Sequence, residues 1–130
     1  ETQAILPRLQ DDLLPALQAT AVGELGDRFF RWRDEAAVCV VLASEGYPGA
    51  YPKGKVITGL SEAEAKGALV FHAGTRRKNG EFVTAGGRVL GVTALGVDIP
   101  EAVANAYEAV DCISWSGMYC RRDIAFRALR

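Results

Sequence analysis

Ala37-Val38-Cys39-Val40-Val41-Leu42-Ala43-Ser44 is the stretch on which the fold turns. Its three valines are β-branched, and apolar side chains occupy both alternating faces. That pattern predicts a strand buried on both sides, with Cys39 an inert core residue. Downstream, Glu45 to Lys55 gathers three glycines, two prolines and two tyrosines, and reads as a loop. Val56-Ile57-Thr58 reads as a short strand, Ser61-Glu62-Ala63-Glu64 as a capped helical turn, and Ala68 to Ala73 as a further strand. Lys78-Asn79-Gly80-Glu81 carries the sharpest local signal, because Asn-Gly accepts positive φ at both centres of a type I′ turn and so predicts a hairpin. Val89 to Val97 is another strand, in which Gly91 and Gly96 mark bulges or close backbone approach. Pro100 to Ile113 predicts a helix with Val103, Ala106, Tyr107, Val110 and Ile113 on one stripe.

Upstream, Ile5, Leu6, Leu9, Leu13, Leu14 and Leu17 recur at spacings of three and four, as on one helix face. Pro7 breaks that helix, Asp11 or Asp12 caps a second segment with Pro15 in its first turn, and Gly23 ends it. From Phe29 onwards the chain turns β-rich. Helix, strands, helix and a short tail predict an α+β fold, a mostly antiparallel sheet with a packed helix.

The whole chain has 130 residues, 49% hydrophobic and 24% charged, which suits one folded domain rather than disorder. Fifteen basic against sixteen acidic residues leave a net charge of −1, which argues against nucleic acid or an anionic membrane as partner. The longest apolar run, Ala36 to Ala43, is far shorter than a membrane helix needs. No signal-peptide pattern is present, and Cys39, Cys112 and Cys120 form neither a disulfide framework nor a zinc site with His72. These features predict a cytoplasmic protein. The chain opens on Glu1 rather than Met, which predicts that the natural N-terminus lies upstream.

Several short patterns invite chemistry. Gly49-Ala50-Tyr51-Pro52-Lys53-Gly54-Lys55-Val56 imitates a phosphate-binding loop, but Val56 lacks the hydroxyl that would hold magnesium and a strand follows instead of a helix. Gly86-Gly87-Arg88 lets backbone amides approach an anion beside a forked guanidinium donor, and it equally suits a bulged strand entry with an exposed arginine. Lys53 and Lys55, on a loop with Tyr47 and Tyr51, suit a substrate lid or an ordinary surface loop. Arg76-Arg77-Lys78 and Arg121-Arg122 read as solvated faces, His72 as a hydrogen-bonded structural residue, and Asp98 with Glu101 as helix-end carboxylates. No nucleophile–base–orienter set emerges, so no residue is assigned as catalytic or as a metal ligand. A carrier module of the biotinyl or lipoyl kind, presenting Lys78 at the hairpin, or an interaction domain without catalysis, are the alternatives from other classes.

Six blocks together resemble the C-terminal portion of the phosphoribosylamine–glycine ligase family of ATP-grasp enzymes. They are Glu1-Thr2-Gln3-Ala4-Ile5-Leu6-Pro7-Arg8-Leu9, then Ala37 through Ser44 continued as Glu45-Gly46-Tyr47-Pro48-Gly49, then Lys53-Gly54-Lys55-Val56-Ile57-Thr58-Gly59-Leu60. Phe71-His72-Ala73-Gly74-Thr75, Gly86-Gly87-Arg88-Val89-Leu90-Gly91-Val92-Thr93-Ala94 and Gly117-Met118-Tyr119-Cys120-Arg121-Arg122-Asp123-Ile124 continue it in the same order. The resemblance implies a ligase of purine biosynthesis that joins glycine to 5-phosphoribosylamine. Glycine is activated by ATP as an acyl phosphate, with Mg2+ or Mn2+ in support. It also implies that this chain corresponds to the last third of such an enzyme, inactive alone and binding neither ATP nor metal itself. Its substrates, 5-phosphoribosylamine, glycine and ATP, would be shared with lobes not present here. Residues 1–25 would be the last helices of the ATP-grasp region. Residues 26–130 would be a small β-rich, barrel-like cap domain similar to that of biotin carboxylase. Arg88 with Gly86 and Gly87 would contact the ribose phosphate, and Lys53, Lys55 and Tyr47 would line or close that side of the site. The implied tail Arg121-Arg122-Asp123 makes structural ion pairs. An exposed lobe-facing surface, carried by Leu9, Leu13 and Leu17, would favour self-association.

Overall fold

The computed structural model describes residues 1–27 and 30–129. Phe29, where the β-rich part was expected to begin, lies outside the described residues. The chain opens with α1 (Thr2–Ile5), a 3-10 turn (Leu6–Arg8) and α2 (Leu14–Ala21). Then come β1 (Ala36–Ser44), α3 (Leu60–Ala65), β2 (Leu69–His72), β3 (Thr75–Lys78) and β4 (Glu81–Thr84). After them follow β5 (Arg88–Gly96), α4 (Ile99–Val110), β6 (Met118–Cys120) and a last 3-10 turn (Phe126–Leu129). The fold is α+β. One sheet has the order β2-β5-β1-β6, a two-stranded sheet is made by β3 and β4, and every strand pairing is antiparallel.

Burial of one sheet face fixes this arrangement. Val38, Val40 and Leu42 of β1 stand opposite Ala94, Val92 and Leu90 of β5, and all six are buried. Against them lie Ala102, Ala106, Ala109 and Val110 of α4, each with no exposed surface. Small residues on the helix allow close contact, and Gly96 extends that contact to the strand end. A Cβ on Gly96 would stand 2.3 Å from the Ala102 nitrogen. Asp98 caps α4 by accepting from the Glu101 N–H at 2.9 Å, while Glu101 accepts from the Val97 N–H, so both carboxylates are helix-end groups.

The opposite face corrects the reading of β1 as buried on both sides. Val41 is 41% exposed and Cys39 only half-buried, because α4 covers one side of an antiparallel sheet and α1 reaches only part of the other. Val56-Ile57-Thr58 is likewise not a strand. Val56 bridges Val83 and Thr58 bridges Ser114, so the segment changes partner within three residues. The turn at Ser61 has no side-chain cap; Gly59, at φ 80°, begins it instead. The hairpin forms as the Asn-Gly pair requires, with Asn79 at φ 51° and Gly80 at φ 85°.

At the N-terminus the leucine stripe divides at Pro7, and residues 9–13 leave the helix. Asp12, not Asp11, accepts from the Leu14 N–H at 2.9 Å. Asp11 instead takes the backbone and side chain of Arg31. Gly23, at φ 74°, ends α2, with Glu24 N–H donating to the Ala19 carbonyl at 2.8 Å. Leu17 is exposed as expected, but Leu9 and Leu13 are half-buried and the exposed neighbours are Ile5, Leu6 and Leu14. No helix among the described residues is long and apolar enough to cross a membrane.

Candidate functional site

Three backbone segments meet at the entry to β5. Ser44, the last residue of β1, donates its N–H to the Gly87 carbonyl at 2.8 Å and its hydroxyl to the Gly86 carbonyl at 3.0 Å. From the other side the Gly74 carbonyl accepts from Ala85 N–H and Gly86 N–H at 2.7 and 3.1 Å. Gly74 and Gly86 cross so closely that a Cβ on Gly74 would stand 2.7 Å from the Gly86 Cα. The Gly86 amide is thus engaged within the protein. Its neighbour Gly87 has a different function: a Cβ there would lie 2.1 Å from Cδ2 of Tyr47 and 3.0 Å from Cε1 of Tyr51. A bare backbone is the seat on which the two tyrosines of the 45–55 loop rest.

Arg88, the next residue, is exposed and stands between two clefts. The larger, ≈ 600 Å³, lies between the strands and α1, and includes Glu1, Thr2, Gln3 and Gly74. The smaller, ≈ 250 Å³, is a more apolar slot that includes Cys39, Ala43, Tyr119 and Ile124. Arg88, Tyr47 and Val41 line both. The volume of the larger cleft falls within the range of small-molecule sites. Among the described residues Arg88 makes no ion pair, whereas Arg121, on the rim of the smaller slot, is held bidentately by Asp123 at 2.7 and 2.8 Å. Of the two arginines that line these clefts, Arg88 is thus the one no carboxylate of the described residues engages, and its planar fork matches phosphate or carboxylate.

Of the residues singled out from sequence, Arg88, Gly86, Gly87 and Tyr47 come together. Lys53 stands one step away, its Nζ 5.7 Å from the Tyr51 ring. Lys55 lines neither cleft; its backbone N–H donates to Thr84 Oγ1 at 3.1 Å and its carbonyl accepts from Thr84 N–H at 2.9 Å. Thr2, Gln3 and Gly74 were missed. A glycine between two short strands was the available signal for Gly74, and nothing local marks Thr2 or Gln3.

The remaining ionisable clusters are structural. Arg122 pairs with Asp111 at 2.6 Å and lies over the Tyr107 ring, and Tyr107 Oη accepts from Ile124 N–H and donates to the Arg121 carbonyl. The tail is thereby fastened to α4. Hydrogen bonding to Arg121 holds the Asp123 carboxyl below its ordinary range, and hydrogen bonding to Glu108 raises Lys66. His72 meets Thr75 Oγ1 at 2.9 Å through Nδ1 and stacks on Phe82, as a structural histidine does. Lys78 ends β3 opposite Glu81. Among the described residues no three His, Cys, Asp or Glu side chains gather as a metal site.

Comparison with known proteins adds the context. The family described as phosphoribosylglycinamide synthetase, C domain, matches residues 37–127. The phosphoribosylamine–glycine ligase of Vibrio cholerae is 50% identical over 129 residues, which is 99% of this chain and 30% of that protein. The Synechocystis protein of the same name is 52% identical over 132 residues, again 99% of this chain and 31% of the relative. The crystal structure of phosphoribosylamine–glycine ligase from Thermotoga maritima superposes with a TM-score of 0.69 at 40% identity. That superposition covers 84% of this chain and 27% of the other. The chain thus spans under a third of the length of these relatives.

Proposed function

The chain belongs to the phosphoribosylglycinamide synthetase C-domain family, and from that premise we propose that it is the substrate-binding cap of a phosphoribosylamine–glycine ligase. Such a ligase joins glycine to the amine of 5-phosphoribosylamine with conversion of ATP to ADP and phosphate, a step of purine biosynthesis in the cytoplasm. Residues 1–25 belong to the end of its ATP-grasp region and residues 26–130 form the cap. ATP and the Mg2+ or Mn2+ that accompanies it are held elsewhere in such an enzyme.

One observation carries the reading: Arg88, with no ion-pair partner among the described residues, borders a cleft of ≈ 600 Å³ that α1 also lines. Here the guanidinium takes the 5-phosphate as a forked donor. Gly87 admits Tyr47 and Tyr51 to the rim, where they exclude water from one side of the phosphate. Lys53, above Tyr51, adds positive charge to the approach, and Lys55 acts through its backbone hold on Thr84. The chain by itself positions substrate and performs no bond-making step.

Calorimetric titration with glycinamide ribonucleotide tests this. Weak binding is expected, falling at least about tenfold in Arg88→Ala, since a charge-assisted hydrogen bond contributes about 1.5–3 kcal/mol. Equal affinity in the two proteins would reject Arg88 as the phosphate contact. Ligase turnover by this chain alone would reject its assignment as a non-catalytic cap.

A further inference from the structure

We infer that Thr93 and Gly91, on the sheet face away from α4, are positioning residues for the substrate cleft, acting through the backbone of Gln3. The inference rests on the reading of that cleft given above. Its origin is a missing donor. In a helix the Gln3 carbonyl would accept from the N–H four residues on, but that residue is Pro7, which has none. The Leu6 N–H is engaged by the Thr2 carbonyl. The donor instead comes from 90 residues away, where the Thr93 hydroxyl reaches the Gln3 carbonyl at 3.0 Å.

Thr93 is only 1% exposed, so its hydroxyl sits where an unpartnered polar group is costly, and valine would fill the same space. Two residues earlier, on the same face, Gly91 makes room for the Gln3 side chain. A Cβ there would stand 2.3 Å from Gln3 Oε1. Gln3 Oε1 also accepts from the Cys39 thiol at 3.5 Å, across the strand pair from Thr93. Main chain and side chain of one residue are therefore both held by the outer face of β1 and β5. The turn so fixed carries Glu1, Thr2 and Gln3, which line the same cleft as Arg88. Phosphate binding by Arg88 and recognition of the rest of the ligand by this turn depend on the distance between them. Thr93 sets that distance without touching the ligand.

Affinity for glycinamide ribonucleotide, measured in the full chain, is the readout. Thr93→Val should weaken binding about tenfold, and Thr93→Ser, which restores the hydroxyl, should return it to within about twofold of the parent. Val92→Ala, one residue along on the core face, is the control: it lowers the melting temperature and leaves affinity unchanged. Hydrogen exchange at the Ala4 and Ile5 amides should quicken in Thr93→Val and not in Val92→Ala. Equal affinity in Thr93→Val and Thr93→Ser overturns the inference while leaving the Arg88 reading intact. Loss of affinity in Val92→Ala as large as in Thr93→Val also overturns it, because binding would then follow stability alone. A parent chain that binds no ligand rejects the site reading and this inference together, even if exchange in α1 responds to Thr93.

Discussion

The two faces of β1 and β5 are written by alternate residues of the same strands, yet they have opposite characters. Toward α4 stand Val38, Val40, Leu42, Val92 and Ala94, all buried and all apolar. Away from it stand Cys39, Val41, Gly91 and Thr93, a mixture of thiol, exposed valine, glycine and hydroxyl. Packing against a complete helix selects only for volume, so the first face is uniform. The second meets a single short turn, two clefts and Tyr47, so its residues are set individually by contacts with named atoms. Gly91 and Thr93 of the second face are buried as well, so what divides here by strand parity is chemical character and not burial.

That contrast breaks most readily at adjacent residues. Leu42→Ala removes a side chain with no exposed surface and should cost about 3 kcal/mol, read as a shift in urea midpoint at constant slope. Next in size is Gly87→Ala. Its Cβ would displace Tyr47, the ring 2.1 Å away, and should weaken binding of glycinamide ribonucleotide about tenfold by calorimetry with little change in melting temperature. Val41→Ala, one residue from Leu42 but on the open face, should cost under about 1 kcal/mol in the same urea experiment. Costs for Leu42→Ala and Val41→Ala that agree would dissolve the distinction between the faces.

The smallest effect lies outside both faces and marks their background. The Arg31 backbone N–H, and then its guanidinium, hold the Asp11 carboxyl below its ordinary value. A carboxyl depressed in the folded state contributes stability that is present above its unfolded pKa and is lost as pH falls through the lower folded one. Asp11→Asn should therefore lower the urea midpoint slightly at pH 6, with the difference from the parent shrinking toward pH 3. A difference that grows on acidification would contradict that pairing.

Legibility in the sequence follows the same division. Asn79-Gly80 and the apolar stripe of α4 declare their structures, because one turn type and one helical period each have a direct residue signature. The glycines at 91 and 96 were legible as close approaches, though not what approaches them: Gln3 in one case and Ala102 in the other. The open face of β1 was not legible, since an alternation without polar residues cannot distinguish a covered side from one lined by a cleft. Arg88, Gly86, Gly87 and Tyr47 could be named as candidates from their residue types and from resemblance. That Tyr47 rests on Gly87, forty positions later, required the fold. The wall formed by Thr2 and Gln3 was invisible for the same reason, because the hydroxyl that holds the Gln3 carbonyl belongs to Thr93, ninety positions later.

The strand order also sets a schedule for a growing polypeptide. β1 occupies an interior place in β2-β5-β1-β6, but both of its neighbours are translated long after it. As the chain leaves the ribosome, Ala36–Ser44 must wait through some forty further residues before β5 offers its first partner. During that interval an uncharged, valine-rich segment with two free edges is open to other nascent chains. Chaperone demand during synthesis should consequently peak between the emergence of residue 44 and that of residue 96, and fall once β5 has paired.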